Sequence, residues 1–263
     1  MRQVDRGLFV PPGPWVHAYQ DSPQTIGFNA TISAPHMHAQ CLELLENHLQ
    51  VNFEICLAGE VHVQHTCHRS LHLFLFSHIP PNLSPNPSLT TPSIPSLCGC
   101  FLSVAAHPTP LLLQQPGMRA LDVGSGTGYL TACFGLLLAP TGKAVGVEHI
   151  PELVERSKRD VARSAAGHLL ESGVIALHAG DGRQGWPHDS PYDAIHVGAA
   201  APEIPLALKQ QLKEGGRMVI PVGTWSQDLL VVDKLPDGRF KESHVASVRY
   251  VPLTSKDEQL EGY

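Results

Sequence analysis

The short apolar run Arg119–Val123 passes directly into Gly124-Ser125-Gly126-Thr127-Gly128, and the helical stretch Tyr129–Leu138 follows at once. That order leaves the backbone few options. A buried parallel strand must end in a tight turn, and a helix must start from it. The glycines let the turn close and let a ligand approach the backbone without a Cβ in the way. Similar units repeat down the chain. Strands are predicted at Ala144–Glu148, Val174–Ala179, Tyr192–Val197 and Met218–Val222. Helices are predicted from Pro151 through Ala166 and over Ile204–Leu212, the second stopped by Gly215-Gly216. Two further strands are expected at Leu229–Leu235 and Val245–Pro252, with a turn at Pro236-Asp237-Gly238. The alternation predicts an α/β fold, a Rossmann-like doubly wound and mostly parallel sheet with helices on both faces. Ligands on such sheets sit at the carboxyl ends of the strands. Gly124–Gly128, Glu148, Asp181-Gly182 and Gly198–Pro202 all fall there.

Ahead of this core, Val4–Val10 reads as a short ordered stretch broken by Pro11-Pro12-Gly13-Pro14. Met37–Leu49 reads as an amphipathic helix with Cys41, Leu44, Leu45 and Leu49 on its apolar side. A length of 263 residues allows one large domain or two small ones. The net charge of −6 gives no basic footprint, so nucleic acid is not an expected partner. No apolar run reaches the ~18 residues that read as a membrane span, so no membrane association is expected. Met1–Pro14 lacks a basic flank followed by an apolar run, and no secretory leader is expected. Six cysteines in a chain this long do not make a disulfide framework, which points to a reducing cytoplasm.

The loop chemistry narrows the ligand. A dinucleotide loop usually carries its third glycine one residue later, as G-x-G-x-x-G. Asp122, just before Gly124, would repel a pyrophosphate but suit the cationic methionine part of S-adenosylmethionine. Glu148 ends its strand where an acid can hold ribose hydroxyls, although a solvated acid is the plainer reading. Asp181 could accept a hydrogen bond from an exocyclic amine, or simply turn the chain. Together the three features fit an adenosine ligand. A nicotinamide-dependent oxidoreductase is disfavoured by the early third glycine and by Asp122.

The run Asp21–Ala30 continues into Thr31-Ile32-Ser33-Ala34-Pro35-His36-Met37-His38. With Gly117–Phe134, Gly180–Arg183, Tyr192–Pro202 and Tyr250–Thr254, it closely resembles the protein-L-isoaspartate (D-aspartate) O-methyltransferases. The resemblance spans about residues 20–50 and 116–260. It implies the class I S-adenosylmethionine-dependent methyltransferase fold. It also implies methyl transfer to the free carboxylate of L-isoaspartyl (and D-aspartyl) residues in damaged proteins. The ester then closes to a succinimide, which begins repair. The expected partners are isoaspartyl proteins and peptides, met by a monomer that needs no metal. Ser33 matches the family's active-site residue, and is expected to position the carboxylate rather than attack it. As a bare sequence feature, Ser33 could equally cap the helix that follows. The resemblance also places Ala30, Thr31, Ile32, Ser33 and His38 against the cofactor. It adds the loop residues Asp122, Gly124, Ser125, Gly126 and Thr127. Glu148 and His149 fall at the ribose, Asp181 and Gly182 at the adenine, and Thr254 and Gln259 among C-terminal contacts. Alone, Thr127 reads as a helix cap, His38 as an ordinary half-buried histidine, and Gly198–Pro202 as a strand-to-helix connection.

Residues 51–115 depart from the family. They carry Glu54, Glu60 and Arg69 as their only charged side chains, with four of the six cysteines and a dense Pro/Ser/Thr stretch. Such composition predicts an irregular, disordered insertion between an N-terminal segment (1–50) and the catalytic core (116–263). His62, His65, Cys67, His68, Cys98 and Cys100 lie in it without a closed zinc spacing. The resemblance further implies a helical segment ahead of the position of Met1 that this chain lacks. We read residues 51–115 as a translated retained intron, since valine codons begin with GT and Gln115 can be encoded by CAG. Lengthening one loop to this extent costs ~2.5 kcal/mol in closure entropy, so reduced stability and activity are expected. Two observations check the reading together: a shorter transcript joining the codons of Gln50 and Pro116, and a higher melting temperature once residues 51–115 are removed.

Overall fold

The computed structural model describes residues 1, 3–11, 15–49 and 117–262. A 3-10 turn (Arg6–Phe9) and a short helix, α1 (Trp15–Ala18), open the chain. A hairpin of β1 (Gln24–Gly27) and β2 (Ala30–Ile32) leads into helix α2 (Pro35–Leu45). The glycine-loop unit follows as β3 (Arg119–Val123) and α3 (Tyr129–Leu138), both with the expected bounds. Next come β4 (Lys143–Glu148), α4 (Pro151–Ala162), α5 (Gly167–Glu171), β5 (Ile175–Ala179), β6 (Tyr192–Val197) and α6 (Leu206–Gln211). The last elements are β7 (Leu212–Val222), β8 (Gln227–Lys234), β9 (Phe240–Val248) and α7 (Lys256–Glu261).

Among the described residues, seven strands form one sheet in the order β5-β4-β3-β6-β7-β8-β9. β3 to β7 run parallel, while β8 pairs antiparallel with both β7 and β9. The strand order reverses at β3, which has β4 on one side and β6 on the other. A doubly wound sheet opens its ligand crevice at that switch point. One face is filled by Leu121, Val123, Val145, Val147, Ile195 and Val197, all buried. The other face carries small residues, Ala120, Ala144, Gly146 and Ala194, which let α3 approach closely. A Cβ on Gly146 would lie 2.8 Å from Thr131 Oγ1 on α3 and 2.6 Å from Leu177. Asp122 and His196 occupy this same small-residue face, one position before the last residue of β3 and of β6.

Several boundaries differ from expectation. The helix from Pro151 stops at Ala162 because Ser164 bonds back to Val161 O (2.7 Å) and accepts from Ala166 N (3.1 Å), which forms a turn before α5. α6 ends at Gln211 and β7 starts at Leu212, so Gly215-Gly216 do not stop the helix; they lie inside the strand, where Gly215, at φ +78°, is absorbed in a bulge. β9 ends at Val248 rather than at Pro252, and Gln227 takes over beyond it. Its side chain accepts from Tyr250 N (2.6 Å) and donates to Tyr250 O (3.1 Å). α2 begins at Pro35 and ends at Leu45, followed by a 3-10 turn over Glu46–His48. The irregular insertion expected over residues 51–115, with its histidines and cysteines, lies outside the described residues.

Candidate active site

Three distant segments meet in one cavity at the carboxyl ends of β3 and β6. Its lining comprises Thr31, Ile32, Ser33 and His38; Asp122, Gly124, Ser125, Gly126, Thr127, Tyr129 and Leu130; and His196 and Gly198. The glycine loop reaches it with left-handed backbone at Gly124, Gly126 and Gly128 (φ +71°, +52° and +77°). The amides of Gly124 and Ser125 bond Val147 O, which pins the loop to β4. A Cβ on Gly124 would meet nothing nearer than 4.0 Å, so the loop presents bare backbone at that position. Gly198 N donates to Val123 O (2.8 Å), which closes β6 against the same turn. Thr127 is not the helix cap: Gly128 holds that position, and Thr127 is buried against the cavity. Nor does Ser33 cap α2, whose N-cap is Ala34 with no side-chain bond. Ser33 instead lines the cavity, with its side chain beside Tyr250.

The remaining anticipated residues surround this lining without joining it. Ala30 precedes Thr31 in β2. Glu148 is buried and accepts from Gly126 N (3.1 Å) and Ile150 N (3.0 Å). Burial pushes its pKa up, while these amides pull it down. His149 Nε2 lies 2.9 Å from Gln259 Oε1, and Gln259 Nε2 donates to Phe28 O (2.9 Å). Asn29 returns a bond to Gln259 O (2.8 Å). This clasp holds a hairpin turn in which Phe28 and Asn29 both sit at φ +54°, costly for residues other than glycine. The Thr254 hydroxyl is bonded to Glu258, which caps α7 through Ser255 and whose pKa falls to about 2 for that reason. The Asp181 carboxylate is gripped by Arg183 Nε and Nη2 (3.0 and 2.8 Å), and Gly182 is buried against Val123.

His196 is the main residue that sequence reasoning missed. The parallel register sets it directly beside Asp122, and His196 Nδ1 lies 2.8 Å from Asp122 Oδ1. Thr131 donates to the other oxygen (2.6 Å). Burial disfavours a charged imidazole, but Asp122 and Cys41 outweigh it and push the His196 pKa up to about 10. Asp122 thus lines the cavity, as expected, with His196 as a buried partner that the sequence did not reveal. A lone polar residue in the otherwise apolar run Ala194–Val197 was the available signal. Tyr129, Leu130 and Gly198 also line the cavity without having been singled out as cofactor contacts. His38 is buried and held neutral, with its pKa well below the usual range, first by burial and then by Arg6 and His196.

Comparison with known proteins agrees with this geometry. The family model for protein-L-isoaspartate (D-aspartate) O-methyltransferase matches residues 1–58 and 69–258. A protein-L-isoaspartate O-methyltransferase of Triticum aestivum is 48% identical over 261 residues, covering 99% of this chain and 84% of the relative. One from Caenorhabditis elegans is 38% identical over 261 residues, covering 98% of this chain and 84% of its own. A solved structure described as a protein-L-isoaspartate O-methyltransferase of Plasmodium falciparum, bound to S-adenosyl-L-homocysteine, superposes with a TM-score of 0.65. It is 26% identical, with 96% of this chain and 87% of that one covered. The fold is that of a class I methyltransferase, and the chain belongs to the protein-L-isoaspartate (D-aspartate) O-methyltransferase family.

Proposed function

We propose that this chain methylates the free carboxylate of isoaspartyl residues with S-adenosylmethionine, and that Ser33 aligns the acceptor. The observation that carries the reading is the meeting of Ser33, free of any capping role, with the bare glycine loop in one cavity. The residues suit the cofactor. The loop offers uncovered backbone at Gly124, and Glu148 beside it keeps lone pairs for ribose hydroxyls after serving two amides. When bound, S-adenosylmethionine supplies a methyl group on a sulfonium that is already a good leaving group. The protein need not provide a base, since an acceptor carboxylate with a pKa of roughly 4 is ionised near neutral pH. Its task is alignment and exclusion of water. Ile32, Tyr129 and Leu130 give the cavity apolar walls, and the Ser33 hydroxyl can donate to the carboxylate oxygen that does not attack. We further propose a monomer, and a reducing cytoplasm as its setting, the latter in keeping with the free thiols of Cys41 and Cys133.

Ser33→Ala tests the assignment. Loss of one hydrogen bond to a charged group is worth ~1.5–3 kcal/mol, so kcat/KM for an isoaspartyl peptide should fall about 10- to 100-fold. Affinity for S-adenosyl-L-homocysteine should change little. An unchanged kcat/KM would remove Ser33 from the reaction. If the unaltered chain binds cofactor but forms no base-labile methyl ester, it is a fold-retaining binder rather than an active enzyme.

A further inference from the structure

Arg6 is a cation buried without a carboxylate of its own among the described residues. It lies in the first 3-10 turn and is only 4% exposed. Its Nε donates to Ala18 O (2.8 Å), its Nη1 lies 3.4 Å from His38 Nδ1, and its guanidinium sits over the Tyr129 ring at 5.8 Å. Nη2 is buried and has no partner among the described residues. Asp21, an acid whose field reaches Arg6, is exposed and bonded to His36 (2.8 Å). Burial of a charge on these terms is unfavourable unless the charge serves something nearby.

What it serves is next to it. A guanidinium only donates, so His38 Nδ1 must present a lone pair to it. The ring proton then sits on Nε2, and His38 is a wall of the cavity. An imidazolium would need a second proton on Nδ1, aimed at the guanidinium. The groups facing His38 are Arg6 from the N-terminal turn, Tyr129 from α3 (ring centroids 5.1 Å apart) and His196 from β6. Arg6 and His196 oppose a positive His38, and the Tyr129 ring is already shared with the Arg6 guanidinium. We propose that Arg6 is a positioning residue that locks His38 as the neutral Nε2–H tautomer, so that His38 offers the cavity one N–H donor for a carboxylate. Under the function proposed above, two ligands bring a carboxylate here: the isoaspartyl acceptor and the amino-acid end of the cofactor.

The tautomer is read directly, without turnover, by 15N NMR of the full chain labelled at histidine. The expected result is His38 with a protonated Nε2 and a bare Nδ1, unchanged between about pH 8 and about pH 6. A proton on Nδ1, or an imidazolium, overturns the proposal. In Arg6→Met the Nδ1 lone pair loses its donor, so the Nδ1–H tautomer should become populated, while burial still keeps the His38 pKa below its ordinary value. Ligand affinity should fall about tenfold, the worth of one charge-assisted hydrogen bond, and Arg6→Lys should restore part of it. Calorimetry separates the two sources. A loss seen with S-adenosyl-L-homocysteine but not with 5′-methylthioadenosine, which lacks the amino-acid carboxylate, assigns the cofactor. An unchanged cofactor affinity with a raised KM for the peptide assigns the acceptor. If neither changes, the proposal fails. If Arg6→Met does not fold, the tautomer of the unaltered chain and the lysine variant still decide. A chain that forms no methyl ester would defeat the functional reading while leaving the NMR and calorimetric results to stand or fall by themselves.

Discussion

Asp122→Asn is expected to lower the melting temperature sharply and to flatten the dependence of stability on alkaline pH. Asp122 is 1% exposed, and both its oxygens are engaged, by His196 and by Thr131. Removing one member of a buried ion pair costs ~3–5 kcal/mol, because the other is left buried and uncompensated. Asparagine keeps the shape and one acceptor, so the lower end of that range applies. Even that is a large share of the ~5–15 kcal/mol that holds a typical domain folded. The pH dependence follows from His196. Its pKa is raised from about 6.5 in the unfolded chain to about 10 in the folded one. The folded state therefore binds the proton more tightly. The stabilisation is fully present below about pH 6.5 and is lost as the pH rises toward about 10. With one pKa unit worth ~1.4 kcal/mol, the loss across that window is on the order of several kcal/mol. Urea unfolding at the two ends of the window should show a steep alkaline decline for the parent and a shallow one for Asp122→Asn. Parallel declines in the two proteins would mean that other groups carry the titration.

The parts of this molecule that a reader of the sequence could find are those whose physics is local. Arg119–Val123 and Tyr129–Leu138 are bounded by a turn whose glycines must adopt left-handed backbone, and both elements fall where that turn dictates. Thr127 misled as a cap because a left-handed Gly128 already starts the helix. The Asp122–His196 pair was hidden for a different reason. It depends on the register between two strands that are neighbours in space but far apart in the chain. The β1–β2 hairpin was hidden as well. Its strands are too short to show alternation, and its turn runs through Phe28 and Asn29 rather than a favoured Asn-Gly. It is Gln259, from the far end of the chain, that holds that turn. Composition and periodicity alone do not reach Thr31–Ser33; the resemblance to a family does, and the structure then explains why the segment is placed where it is.

Glu148→Ala should impair cofactor affinity more than any other change argued above. The carboxylate is 6% exposed and stands at the end of β4, with Gly126 N and Ile150 N on it. A carboxylate has about four lone-pair positions, so roughly two remain for a pair of ribose hydroxyls. Two hydrogen bonds to a charged acceptor at ~1.5–3 kcal/mol each predict at least a hundredfold loss in affinity for S-adenosyl-L-homocysteine. The alanine variant also strands two amides. An orphaned buried donor costs ~1–3 kcal/mol, so the melting temperature should fall too. Glu148→Gln separates the two effects. Its amide keeps one carbonyl acceptor for the backbone but loses the charge and half of the accepting capacity. Because Gly126 N and Ile150 N bond different oxygens, its NH2 must face one of the two amides, so it should recover part of the stability and only part of the affinity. Titration calorimetry set beside thermal unfolding of both variants gives the answer. If alanine lowers stability but leaves affinity intact, Glu148 is only the anchor of the glycine loop, and the ribose must be held elsewhere. If affinity falls with both variants while glutamine restores part of the stability, the same carboxylate shapes the loop and holds the ligand. That outcome would explain why an acid is buried at the end of β4 even though burial works against its charge.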